Sequence, residues 1–133
     1  MADKLQIGVV PILVDRKGCL VVLVTARGKD RWLPPKGNVH RRHSNRTMAL
    51  TEAYEEAGIV GTIRHKHYVD VPFCKAGERI TLRLYPMQVQ RVLKTWPEKT
   101  SRQRTIVRPR KAYKLIDCKK LRAGMTRLVT RSA

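Results

Sequence analysis

The sequence predicts an α+β fold, and three observations carry that reading. Apolar, β-branched runs of strand length alternate with Gly- and Pro-punctuated loops. A single acid-bearing helical stretch, starting after Ser44 or Asn45 and running to about Ala57, interrupts them. Two further segments with apolar residues at helical spacing close the chain. The 133 residues and 42% hydrophobic content suit one domain, 1–133, large enough to bury a core without disulfide or metal staples.

Leu5 to Val14 reads as a strand in which Pro11 marks an edge or a bulge. Asp15-Arg16-Lys17-Gly18 turns the chain into Cys19 to Thr25, a nearly continuous apolar run expected to be buried on both faces. Ala26 to Asn38 is a loop carrying Arg27, Lys29, Arg31 and Lys36 among Pro34, Pro35 and Gly37. His40 to His43 adds more positive charge, and Ser44 or Asn45 is placed to cap the helix that follows. That helix runs to about Ala57, where Gly58 ends it.

Ile59 to Val71 reads as one strand with the basic residues 64–67 in its middle, and Phe73 to Arg79 as a turn. Ile80 to Val92 alternates clearly, and the change of phase after Pro86 predicts a bulge. Trp96 to Arg104 is a polar loop and Thr105 to Arg108 a short strand. Pro109 opens a helix with Ala112, Leu115 and Ile116 inward, and a last helix runs from Lys119 to about Thr130.

On the central helix, Ala49, Leu50, Ala53, Tyr54 and Ala57 share one arc and Glu52, Glu55 and Glu56 lie at its margin. Glu52 and Glu56 are one turn apart, and no Lys or Arg stands between Arg46 and Arg64 to offset them. Like charges at that spacing repel by roughly 0.2–0.5 kcal/mol. Acids in a last turn also oppose the helix dipole. A solvated helix face is the plain alternative, but a bound cation gives the cluster a purpose. Oxygen-only donors suit a hard ion, Mg²⁺ or Mn²⁺.

The rest of the composition sets the surroundings. Lys and Arg number 29 against 10 Asp and Glu, a net charge of +19 that calls for a polyanionic partner, either nucleic acid or a small, highly phosphorylated substrate. Aromatic residues are scarce, which weakens single-strand nucleic-acid binding by base stacking. Cys19, Cys74 and Cys118 are scattered and odd in number, reading as reduced thiols. His40 and His43 lack the companions of a zinc site. No apolar run reaches membrane-span length, and the first ten residues lack a signal-peptide pattern, so the expectation is a cytoplasmic protein with no membrane partner.

A carboxylate-held metal beside Arg and Lys is equipment for cleaving a phosphoanhydride. The stretch Gly37 to Ile59 also resembles the signature of the Nudix hydrolases. Gly37, Glu52, Ala53, Glu55, Glu56, Gly58 and Ile59 fall in register with it, after a lead-in of RWLPPKG. His43 stands where the signature has its first Glu, and Thr51 where it has Arg. EEAGIVGTI, the stretch VLKTWPEK and the SRQR loop resemble the branch that hydrolyses diphosphoinositol polyphosphates and diadenosine polyphosphates.

That resemblance implies an α/β/α sandwich, a mixed sheet packed between helices. It implies that Glu52, Glu55, Glu56 and the Lys36 carbonyl hold Mg²⁺ or Mn²⁺, and that Glu52 or Glu55 is the general base. Arg27, Arg31, Lys36, Gly37, Arg41, Arg42, Arg102 and Arg104 are then candidates for substrate contact. A downstream acid completing the site is to be sought among Asp70, Glu78, Glu98 and Asp117. The expected function is metal-dependent hydrolysis of a polyphosphorylated substrate such as a diadenosine polyphosphate, a diphosphoinositol polyphosphate or another nucleoside diphosphate derivative. The alternatives are a catalytically weak module of the same fold that binds RNA or another polyanion, and a ribosome-like structural protein.

Overall fold

A computed structural model describes residues 4–28, 30–40, 42–64 and 67–132. Among them, eight strands form one mixed sheet: β1 (Lys4–Asp15), β2 (Gly18–Thr25), β3 (Trp32–Leu33), β4 (Lys36–Asn38), β5 (Ile59–Thr62), β6 (Val69–Lys75), β7 (Glu78–Val92) and β8 (Arg104–Val107). The central order is β3-β2-β1-β7-β5, with β4 beside β1, β6 beside β7 and β8 beside β2. β1 and β7 run parallel, and the other pairings are antiparallel. Helix α1 (Asn45–Ala57) covers one face, and α2 (Pro109–Leu115) and α3 (Lys119–Ser132) cover the other. This is the expected α/β/α sandwich.

Period-two alternation sorts the apolar residues between two cores. Val21 and Leu23 of β2 join Val10, Ile12, Leu82 and Leu84 under α2 and α3. Val22 and Val24 join Ile7, Val9 and Met87 under α1. The continuous apolar run of β2 is thus buried on both faces, as expected. In α1, Ala49, Ala53 and Ala57 are fully buried, and their small side chains let the helix lie close on the sheet. No helix among the described residues is long and apolar enough to cross a membrane.

Several local expectations are corrected. Pro11 lies in a central strand, where β1 passes from pairing with β4 to pairing with β2 at Ile12. The N–H of Val9 points to Pro35 O at 3.1 Å, so the nitrogen two residues on faces the same fork and no ladder bond is lost. β7 has no bulge at Pro86, because its register with β1 runs unbroken from Ile80 to Gln88. The apparent phase change is the apolar side chains moving from one face, through Leu84, to the other at Tyr85 and Met87. The irregularity lies further along β7, where Val60 and Gly61 of β5 face Arg91 and Val89 and leave Gln90 as the extra residue.

The segment from Ile59 is two strands, β5 and β6, with the break falling at the basic stretch; His65 and Lys66 within it lie outside the described residues. Phe73 to Arg79 is mostly strand, and the turn shrinks to Ala76-Gly77, both at positive φ. Tyr54 is 44% exposed, whereas Glu56 is buried at 6%. The inward arc of α1 is rotated toward its acids because β4 lies over that side.

Candidate active site

Helix α1 is held at both ends by its own sequence. The Ser44 hydroxyl accepts the Thr47 N–H at 3.2 Å, and Gly58 ends the helix at φ 63°, its N–H reaching the carbonyls of Ala53 and Tyr54. β4 then lies against the flank of α1. A Cβ on Gly37 would fall inside the Glu52 carboxylate, so only glycine lets this strand approach the acid. One residue back, the Lys36 N–H donates to Glu56 Oε1 at 3.2 Å.

The side chains of Glu52 and Glu56 approach closely enough for each carboxyl to bear on the other's ionisation. Burial pushes the Glu56 carboxyl up to about 8. The negative neighbours Glu52 and Glu98 push the same way, while Arg102 and the Lys36 N–H oppose them. Glu52 is also raised, first by burial and then by the charges of Glu55 and Glu98. Two acids share a site in which both do not comfortably ionise alone.

Arg102 enters from the loop before β8. Its Nη2 lies 3.2 Å from Glu56 Oε2 and its Nε 2.9 Å from Glu98 Oε1. Glu98 also accepts from Arg27 Nη2 at 2.9 Å. Burial raises the Glu98 carboxyl, but the bonds from Arg102 and Arg27 more than offset this and hold it below its usual range. Of the four downstream acids considered, Glu98 is the one joined to the cluster. Asp70 pairs with Arg83, Glu78 with Lys4, and Asp117 with Arg31.

Beside the acids opens a cleft of about 290 Å³, lined by Gln6, Arg27, Arg31, Lys36, Gly37, Asn38, Glu56, Phe73 and Arg102 among others. Two cations approach the Phe73 ring, the Arg31 guanidinium at 5.1 Å from its centroid and Lys36 Nζ at 5.2 Å. Lys36 Nζ also donates to Gln6 Oε1 at 2.9 Å. A second, more open cleft of about 550 Å³ lies on the other side of Glu52, lined by His40, Arg42, His43, Thr47, Met48, Thr51, Glu52 and Glu55. Glu56 thus opens to the first cleft and Glu52 to the second.

The structure brings Arg27, Arg31, Lys36, Gly37, Glu56 and Arg102 to the first cleft, and Arg42, Glu52 and Glu55 to the second. Arg41 lies outside the described residues. Arg104 is in neither lining. Its Nη1 donates to the carbonyls of Ala57 and Leu93, both at 2.9 Å, and its guanidinium stacks 4.1 Å over Trp96. Gln6, Asn38 and Phe73 are cleft residues that the sequence reading missed. Phe73 is the only Phe in the chain and stood in an expected turn. Its strand assignment, once made, points it inward with Val69 and Val71.

The donor set fits a hard divalent cation. Two carboxylates meet with their proton affinity raised, and the glycine beside them leaves a cradle that a Cβ would fill. Among the described residues, no three His, Cys, Asp or Glu side chains are grouped at ligating geometry, so Glu52 and Glu56 form the core of the set.

No protein-family model matches the sequence. Solved structures do. An Ap4A hydrolase of C. elegans superposes with a TM-score of 0.81 at 17% identity, over 99% of this chain and 100% of that one. The E. coli dihydroneopterin triphosphate pyrophosphohydrolase gives 0.72 at 18% identity, over 98% and 99%. The NUDIX domain of Shewanella oneidensis NrtR, in complex with ADP ribose, gives 0.73 at 15% identity, over 100% and 90%. The architecture is the Nudix fold.

Proposed function

We propose that this protein is a divalent-cation-dependent hydrolase of phosphoanhydride bonds in a small polyphosphorylated substrate. The observation that carries the reading is the pairing of half-buried Glu52 with buried Glu56 beside a cleft walled by Arg27, Arg31, Lys36 and Arg102. Glu52, Glu56 and the Lys36 carbonyl would hold Mg²⁺ or Mn²⁺, with Glu55 as a further ligand or the general base; the ion would supply charge neutralisation and an acidified water when bound. In a strand the N–H and C=O of one residue point to the same side. The Lys36 N–H points at Glu56, which favours a carbonyl directed at the acids.

The chemistry asked of the chain is modest. A water oxygen attacks phosphorus, the bridging P–O bond breaks, and the water's proton passes to Glu52 or Glu55 as general base. The departing phosphate takes the bridging oxygen and its electron pair. Arg27, Arg31, Lys36 and Arg42 hold the non-reacting phosphates, the arginines by paired hydrogen bonds. Phe73 offers a flat apolar wall to a nucleoside or similar group. The solved proteins of this fold named above include hydrolases of a dinucleoside polyphosphate and of a pterin triphosphate, which supports that substrate class.

The test is a substrate panel of diadenosine polyphosphates, diphosphoinositol polyphosphates, nucleoside diphosphate sugars and triphosphorylated RNA, each with Mg²⁺, Mn²⁺ or chelator. Metal-dependent product is expected, falling roughly 10²–10⁴-fold in Glu52→Gln and Glu56→Gln. Turnover that survives both substitutions sinks the assignment.

A second reading is favoured by one feature. The outward residues of α2 and α3 include Arg110, Lys111, Lys114, Lys119, Lys120 and Arg127, a basic surface remote from the acids in sequence. It supports RNA or another polyanion as an additional partner. Such binding would weaken steeply with salt, and filter binding across a salt series would measure it. Salt-insensitive or undetectable binding at low ionic strength removes the idea.

A further inference from the structure

Arg102 accounts for its whole guanidinium inside the acid cluster. Nη2 faces Glu56 Oε2 at 3.2 Å, Nε faces Glu98 Oε1 at 2.9 Å, and Nη1 donates to Thr25 O at 3.0 Å. Its side chain is only 14% exposed. Its backbone is fixed as firmly. The Arg102 and Ser101 N–H groups both donate to Glu98 O. The Gln103 N–H donates to Thr25 Oγ1 at 2.9 Å, and the Thr25 N–H donates to Gln103 O at 3.0 Å. The Glu98 N–H donates to Glu55 O at 3.0 Å, tying this loop to α1 itself.

These bonds place a full positive charge on the carboxylate proposed as a metal ligand. The other oxygen of Glu56 already accepts the Lys36 N–H. A guanidinium and a divalent cation on one carboxylate repel each other, and the repulsion is strong where water is excluded. We propose that Arg102 is a resident counter-ion of the acid cluster, competing with the divalent cation for Glu56. The inference rests on the metal-site reading above.

The arrangement has a consequence for substrate. Arg102 also lines the cleft that Arg27 and Phe73 line. A guanidinium released from Glu56 faces that cleft, where a phosphate is its natural partner. Cation loading and phosphate binding are thereby coupled through one side chain. Arg102 is a positioning residue while it holds Glu56, and a substrate contact once released.

The test is direct titration with Mn²⁺ alone, followed by the electron paramagnetic resonance of the free ion, with no substrate present. Arg102→Gln is expected to bind Mn²⁺ about 10-fold or more tighter than the wild type, within the range that neighbours of metal ligands command. Arg102→Ala is expected to do the same, and millimolar methylguanidinium should weaken its Mn²⁺ binding back toward the wild-type value. Methylguanidinium rescue is a response that a merely unfolded or loosened variant does not give. Wild-type binding with equal or weaker binding in Arg102→Gln overturns this proposal and leaves the metal seat standing. Failure of both proteins to bind Mn²⁺ overturns the two together.

Discussion

The indole nitrogen of Trp96 donates to the backbone oxygen of Glu56 at 3.0 Å. The same ring covers Gly58, where a Cβ would come within 2.6 Å of it, and Arg104 stacks on it. The end of α1 that carries the acids is therefore clamped by a loop far along the chain. Glycine serves twice at Gly58: its positive φ ends the helix, and its missing side chain admits the ring.

Arg104 is expected to act on stability, through the carbonyls of Ala57 and Leu93. Arg104→Ala should cost about 1.5–3 kcal/mol, the range for a hydrogen bond to a charged group. Thermal melting should register that loss while KM for a polyphosphate substrate stays nearly unchanged. A large rise in KM at unaltered stability would instead make Arg104 a phosphate contact.

Arg31 should behave in the opposite way. It stands over Phe73 in the cleft wall, and among the described residues its Nε has only the exposed Asp117 carboxylate as an ion-pair partner, at 3.5 Å. Arg31→Ala is expected to raise KM about 10-fold, equivalent to about 1.4 kcal/mol, with a small change in melting temperature. Steady-state kinetics at fixed metal concentration measures it. An unchanged KM removes Arg31 from the binding wall.

Gly37→Ala should disable the site while leaving the fold. The added methyl must displace the Glu52 carboxylate or push β4 away. A misplacement of about 1 Å near reacting groups costs on the order of 10²-fold in rate. Circular dichroism should stay near wild type while turnover falls. Full activity in this variant would mean that Glu52 is not held where catalysis needs it.

The metal-free protein should lose stability as pH rises through neutrality. Burial holds Glu56 up at about 8 and raises Glu52 as well. An unfolded glutamate titrates near about 4.3. Between those values the folded state binds more protons, so the contribution is complete below the unfolded value and vanishes as pH passes through about 8. Asp15 acts elsewhere: the Arg108 hydrogen bond lowers it to about 2, so its contribution is present above the unfolded value and lost only in acid. With chelator present, melting at pH 8.5 should fall below that at pH 5.5 by on the order of 5 °C. Glu56→Gln should flatten most of that slope. A curve rising through this window contradicts the buried-acid picture.

Local sequence signals showed much of this. A cap at Ser44 or Asn45, which the structure places at Ser44, the Gly58 stop, the two-sided burial of β2 and the inward residues of α2 and α3 followed from short-range rules. The expected α/β/α sandwich also matches the fold of solved Nudix structures. Residues whose surroundings come from distant strands were harder to read. Tyr54 and Glu56 were misplaced on α1 because β4, which decides which flank is covered, is only three residues long. Pro86 looked like a break because the apolar face changes as β7 exchanges β6 for β5. Glu98 was indistinguishable from Asp70, Glu78 and Asp117 until Arg102 and Arg27 were seen to meet on it. Arg104 looked like its basic neighbours, and only the carbonyls it reaches set it apart.

The parallel pairing of β1 with β7 also sets a timetable. Lys4 is registered with Ile80 and Ile12 with Gln88. At ribosomal rates of about 5–20 residues per second, the first strand waits roughly 4–15 s for its central partner to be made. Over that interval the β1–β2 hairpin carries an apolar surface with no sheet to enter, and α1 has only half a floor. Contacts so distant in sequence slow folding. The nascent chain is most open to proteolysis and aggregation before β7 is complete, and the acid cluster receives its counter-charge only after Arg102 has been added.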